Sequence, residues 1–161
     1  ENSWAGTIEE RMGDAGRAFA VFMYTIPGTP LLYNGQEVGL NKRLEFFERD
    51  PIDWSGSPLT EFYTSLNRLK SDNPALYNGL WGGSFETITI HDTKTVYAYK
   101  REKDDNVVLT VINFSDEMVS FNIINTLVHG EYNDLFTGDN IQVDSESGFD
   151  LGPWGYLILT R

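Results

Sequence analysis

The sequence predicts an α+β chain in two unlike parts: a helix–strand–helix unit belonging to a larger α/β structure, then an antiparallel Greek-key β-sandwich. Three observations carry this. Apolar residues recur at helical spacing before about residue 80 and in short alternating runs after it. A continuous apolar run between the two helical stretches fits a strand buried on both faces. Turn residues punctuate the second part at short, regular intervals.

In the first part, residues 14–25 read DAGRAFAVFMYT, apolar on nearly every side, so this helix is expected to bury more than one face. Pro27 and Gly28 stop it. Pro30, Leu31, Leu32 and Tyr33 form the apolar run, closed by Asn34 and Gly35. A second helix is predicted from about residue 58 to 70, with Ser57 as N-cap and Pro58 at the first helical position. Leu59, Phe62, Tyr63, Leu66 and Leu69 fall on one stripe of it, and Asn73-Pro74 ends it. A helix, one parallel strand and another helix leave open strand edges and exposed apolar faces, so residues 1–80 read as part of something larger.

In the second part, residues 85–91, 95–101, 106–114, 118–123, 132–136, 140–143 and 156–160 read as strands. Asp92-Thr93, Asp104-Asp105, Ser115-Asp116 and Gly138-Asp139 supply the turns. Seven or eight strands at this spacing predict a sandwich. Residues 1–80 hold 7 basic and 11 acidic side chains, and residues 81–161 hold 5 and 13, so the second part is the more acidic.

The net charge of −12, from 12 basic and 24 acidic residues, argues against nucleic acid or an anionic membrane as partner. The absence of cysteine excludes disulfides and thiolate metal sites. No apolar run approaches the roughly 18–20 residues of a spanning helix. The best candidate, residues 18–30, is short and contains Pro27 and Gly28. The chain is expected to be soluble. It begins at Glu1 with no basic and apolar leader, so no signal peptide is expected within it. A secreted, periplasmic or cell-surface bacterial setting is favoured over the cytoplasm.

The stretch Ile26-Pro27-Gly28-Thr29-Pro30-Leu31-Leu32-Tyr33-Asn34-Gly35-Gln36-Glu37 resembles the last barrel strand of the alpha-amylase family, a Gly-x-Pro turn, an apolar strand with Tyr, then Gly-x-Glu. Arg17-Ala18-Phe19-Ala20 is similar to the family's seventh barrel helix, and Arg49-Asp50-Pro51-Ile52-Asp53-Trp54 to a recurrent family segment. Leu69 and Asn73-Pro74-Ala75-Leu76 resemble the end of its eighth helix, and Pro153-Trp154-Gly155-Tyr156-Leu157 the last strand of its domain C. The motifs run in family order along essentially the whole chain.

The resemblance implies that residues 1–79 are the C-terminal remnant of a (β/α)8 catalytic barrel and residues 80–161 an antiparallel β-sandwich, domain C. It implies a retaining alpha-glucan hydrolase acting on starch or maltooligosaccharides. Such an enzyme uses a nucleophilic carboxylate and a carboxylic acid about 5 Å apart. The family takes these from barrel strands four and five, with a third carboxylate in an Asn-His-Asp motif after strand seven. Glu1-Asn2-Ser3 resembles the residues directly after that motif, so this chain is expected to hold no catalytic residue and to be inactive alone. Glu1, Asn2 and Glu37 are the candidate substrate-binding residues, at the cleft border only. The partners implied are the alpha-glucan and the missing N-terminal barrel part. Exposed faces on residues 1–80 predict self-association.

Other readings stay beside this one. The parent enzyme acts instead on sucrose-, trehalose- or isomaltose-type linkages, or the sandwich is a structural brace or a weak glucan-binding module. Glu37 is either a cleft-lining group or a structural carboxylate capping loop amides. Trp4, Trp54, Trp81 and Trp154 suit either sugar stacking or packing, with Trp81, between Gly79 and Gly82-Gly83, the best placed for exposure. His91 and His129 stand far apart without a ligand pattern, and Asp104-Asp105 lacks the alternation of a calcium loop, so no metal and no cofactor are expected.

Overall fold

The computed structural model describes residues 5–45, 47–91 and 93–161. Glu1, Asn2 and Trp4 lie outside the described residues, as do Phe46 and Asp92.

Helix α1, Ile8–Met12, opens on a capping box. Thr7 Oγ1 accepts from the Glu10 amide at 3.1 Å, and the Glu10 carboxylate accepts from the Thr7 amide at 2.7 Å. Helix α2, Gly16–Thr25, follows after a 3₁₀ turn and ends ahead of Pro27. Helix α3, Pro58–Asp72, starts as expected, with Ser57 capping and Pro58 in the first turn. It buries Phe62, Tyr63, Leu66 and Leu69. Asn73 then caps the next 3₁₀ turn, Pro74–Leu76, through its side chain.

Residues 30–33 differ from expectation. They join no strand ladder, and Leu31 is 62% exposed. The physical reason is that a parallel strand exists only through hydrogen bonds to neighbouring strands, and every strand among the described residues lies beyond residue 83.

The second part contains β1 (Ser84–Ile88), β2 (Val96–Lys103), β3 (Asn106–Asn113), β4 (Val119–Asn122), β5 (Gly130–Asp134), β6 (Asn140–Val143), β7 (Gly148–Leu151) and β8 (Tyr156–Thr160). They form a six-stranded sheet in the order β1-β2-β3-β8-β5-β6 and a two-stranded sheet, β4-β7. Every pairing is antiparallel. The Asp104-Asp105 turn between β2 and β3 places Asp104 at φ 52°, the left-handed conformation that short hairpins need and Asp tolerates. Strand β5 is displaced from the predicted 132–136, because the Asp134 carboxylate accepts from the amides of Phe136 and Thr137 at 2.8 Å each and turns the chain there.

The layers follow from the two-residue period of the strands. On β3, Val108 and Ile112 face one core and Val107, Leu109 and Val111 face another. The second core, with Phe121, Ile123, Tyr132 and Leu151, fills the space between the two sheets. The first core joins the outer face of the large sheet to α2 and α3, through Ala18, Val21, Tyr24, Phe62, Leu66 and Leu69. Thr25 and Tyr99 bond across this boundary at 2.6 Å, both fully buried. The apolar helix faces thus have the sandwich itself as a partner. β3 and β8 are apolar on both sides for that reason.

Candidate functional site

Glu37 sits in a 3₁₀ turn, Gln36–Val38, between Gly35 at φ 88° and Gly39 at φ 70°. At Gly35 a side chain would be strained and would displace Leu40. The backbone is left-handed, and an added Cβ would lie 2.8 Å from Leu40 Cδ2. The turn is fastened to α3 by Gln36, whose amide donates to the Tyr63 hydroxyl at 2.5 Å while its oxygen accepts from the Tyr33 amide at 3.1 Å. Thr60 adds a bond from its hydroxyl to the Glu37 carbonyl at 3.0 Å. The loop amides are met by carbonyls, Leu40 N on Gly35 O at 3.0 Å among them. The Glu37 carboxylate oxygen Oε2 is buried and has no hydrogen-bond partner among the described residues.

Two tyrosines share this carboxylate's surroundings. Burial pushes the Tyr24 phenol up, and the negative charge of Glu37 pushes it further. Burial also raises Tyr63, against a smaller lowering by its bond from Gln36. Tyr24 donates to the Asn67 side chain at 2.9 Å. Neither tyrosine is poised as an acid or base near neutral pH.

Beside the turn lie two adjoining clefts of about 330 and 430 Å³. The first is walled mainly by apolar side chains, including Ile8, Phe19, Met23, Leu31 and Leu40. The second is more polar, with Asp14, Arg17, Gln36 and Tyr63 on its rim. The downstream loop is held by Asp50, whose carboxylate accepts from the Lys42 ammonium and from the Glu45 amide at 2.9 Å. These contacts hold Asp50 below the usual carboxylate range. Sequence reasoning missed this clasp and the Gln36–Tyr63 bond, since neither spacing nor periodicity signals a tertiary polar contact.

The remaining candidates are scattered. Trp54 and Trp81 are exposed, whereas Trp154 packs on the first core from a left-handed turn at φ 52°. Glu37 lies in the loop after α2, whereas the candidates Glu1 and Asn2 lie outside the described residues. Among the described residues no group of three His, Cys, Asp or Glu side chains is placed to hold a metal ion.

Against known proteins, the family described as Maltogenic Amylase, C-terminal domain, matches residues 85–158, from β1 into β8. The chain is 30% identical over 158 residues to Alpha-amylase 2 of Dictyoglomus thermophilum, covering 90% of this chain and 25% of that protein. It is 32% identical over 97 residues to a cyclomaltodextrinase of a Bacillus species, covering 58% of this chain and 17% of that one. Among solved structures, a noncanonic maltogenic alpha-amylase of Thermotoga neapolitana superposes with a TM-score of 0.79 at 19% identity, covering 99% of this chain and 39% of that one. The chain therefore spans about a quarter or less of the curated relatives it matches.

Proposed function

Because this chain belongs to the alpha-amylase family, as the C-terminal domain of an alpha-glucan enzyme, we propose that it serves a retaining hydrolase of starch or maltooligosaccharides whose catalytic carboxylates lie elsewhere in a longer polypeptide. In this reading residues 1–79 are the closing edge of a (β/α)8 barrel and residues 80–161 are domain C. Glu1, Asn2 and Glu37 border the substrate cleft, and the chain does no chemistry alone.

One observation carries the proposal. The segment 30–33 has strand composition and no strand beside it among the described residues, it flanks an apolar cleft, and the turn that follows it holds a buried Glu37 carboxylate oxygen that lacks a partner among the described residues. Neighbouring barrel strands would meet each of these demands. The unpaired backbone would gain a ladder, Leu31 and Phe19 would lose their exposure, and Glu37 would gain a donor. Without them the same surface invites self-association.

The sandwich also acts as a brace. The shared core that ties α2 and α3 to the large sheet favours this second role. It is compatible with the first, since a rigid sheet behind the last barrel helices holds the closing loop in place.

The test follows the anomeric outcome. The longer polypeptide carrying this chain is given maltoheptaose, and the first products are followed by proton NMR. Retention predicts that α-anomers appear first. Initial β-anomers, or no cleavage of any alpha-glucan, would overturn the proposal.

A further inference from the structure

We propose that the turn Gly79–Trp81 is a second, non-catalytic landing site for an alpha-glucan chain, with Trp81 as its stacking platform; the choice of ligand rests on the functional reading above. Leu80 is 97% and Trp81 73% exposed, two adjacent large apolar side chains presented together to solvent. Single exposed apolar residues are ordinary, and a contiguous exposed apolar surface is what marks a contact site.

The support is what sets this turn apart. Arg101, only 2% exposed, reaches under it from β2. Its Nη2 donates to the Tyr77 carbonyl at 3.2 Å and to the Gly83 carbonyl at 3.4 Å, and its Nε donates to the Ser84 carbonyl at 3.2 Å. Burying a guanidinium against carbonyls is costly unless its bonds are made, yet Nη1 is left without a partner among the described residues. The Gly83 amide donates to the Ala75 carbonyl at 2.9 Å, and the Lys103 ammonium donates to the Trp81 carbonyl. Gly82 and Gly83 have no room for a side chain, since an added Cβ would lie 1.9 Å from the Tyr77 oxygen and 2.4 Å from the Glu102 oxygen. Both ends of the turn are thus clamped while its tip faces water.

A rigid tip loses little freedom when it binds, which favours weak, repeated contacts along a polymer. The broad indole face matches the C–H face of a glucose ring, and its N–H and the nearby Lys103 can meet hydroxyls. A neutral ligand also suits a chain of net charge −12, which repels anionic partners.

The test is native electrophoresis of this chain in gels containing soluble starch. Wild type should be retarded, Trp81→Ala should bind starch at least about tenfold more weakly, Trp81→Phe should fall between, and Trp54→Ala should migrate as wild type. The urea unfolding midpoint should be unchanged in Trp81→Ala, because the ring lies outside both cores. Unretarded wild type would overturn the proposal. Equal retardation of Trp81→Ala would overturn it too, as would equal retardation in hydroxyethylcellulose. Failure here leaves the anomeric test untouched, so the two readings fall separately.

Discussion

Tyr99→Phe asks whether helix α2 and the sandwich unfold as one body. Thr25 Oγ1 donates to the Val21 carbonyl at 2.7 Å, which uses its only proton. In the 2.6 Å contact between the two hydroxyls, Tyr99 must therefore be the donor. Both side chains are fully buried. Removing the tyrosine hydroxyl deletes one neutral hydrogen bond while Thr25 keeps its own, so the expected loss is about 0.5–1.5 kcal/mol. Thr25→Val is harsher, at about 1–3 kcal/mol, because it deprives the buried Tyr99 donor of this acceptor. The double variant should cost less than the sum, with a coupling of about 1 kcal/mol. Urea unfolding is followed by far-UV circular dichroism for the helices and by tryptophan fluorescence. In a chain of this size each kcal/mol also lowers Tm by about 2–4 °C. Coupling below about 0.3 kcal/mol, or helices that melt ahead of the sandwich, would refute the single shared core.

Leu66→Ala should cost about 2–5 kcal/mol in the same assay, since Leu66 lies fully buried in the first core; a loss under about 1 kcal/mol would mean that α3 packs loosely. Burial raises the phenols of Tyr24, Tyr63, Tyr99, Tyr132 and Tyr156. The folded chain therefore keeps protons that the unfolded chain gives up, so stability should be intact below about pH 10 and fall as pH rises above it. Flat stability through that range would contradict the burial. Sedimentation should show concentration-dependent association through the face that carries Phe19 and Leu31, whereas a strictly monomeric chain would count against an unsatisfied barrel edge.

Where local rules suffice, the fold is legible in the sequence. Ser57 and Pro58 announce α3, Asn73-Pro74 its end, and β6 and β8 fall where alternation places them. Short elements escape. α1 spans one turn and a half, too little for a helical period, although its Thr7 and Glu10 spell a capping box. β7 has four residues and starts at a glycine. The apolar faces of α2 and α3 say that a partner exists without saying which, so their packing on β3 and β8 emerges only in three dimensions. The site is less legible still. Gln36 meets Tyr63 across 27 positions, and Arg101 is buried within a strand whose pattern gives no hint of the carbonyls that hold it.

On the proposed function, this chain completes an alpha-glucan hydrolase without supplying its chemistry. The most direct measurement is release of reducing ends from soluble starch by the chain alone, by the longer polypeptide that contains it, and by the chain mixed with the remaining N-terminal part. The expected results are no release from the chain alone, turnover by the longer polypeptide, and recovery of turnover on mixing. Robust turnover by the chain alone, or none by the longer polypeptide, would contradict this division of labour.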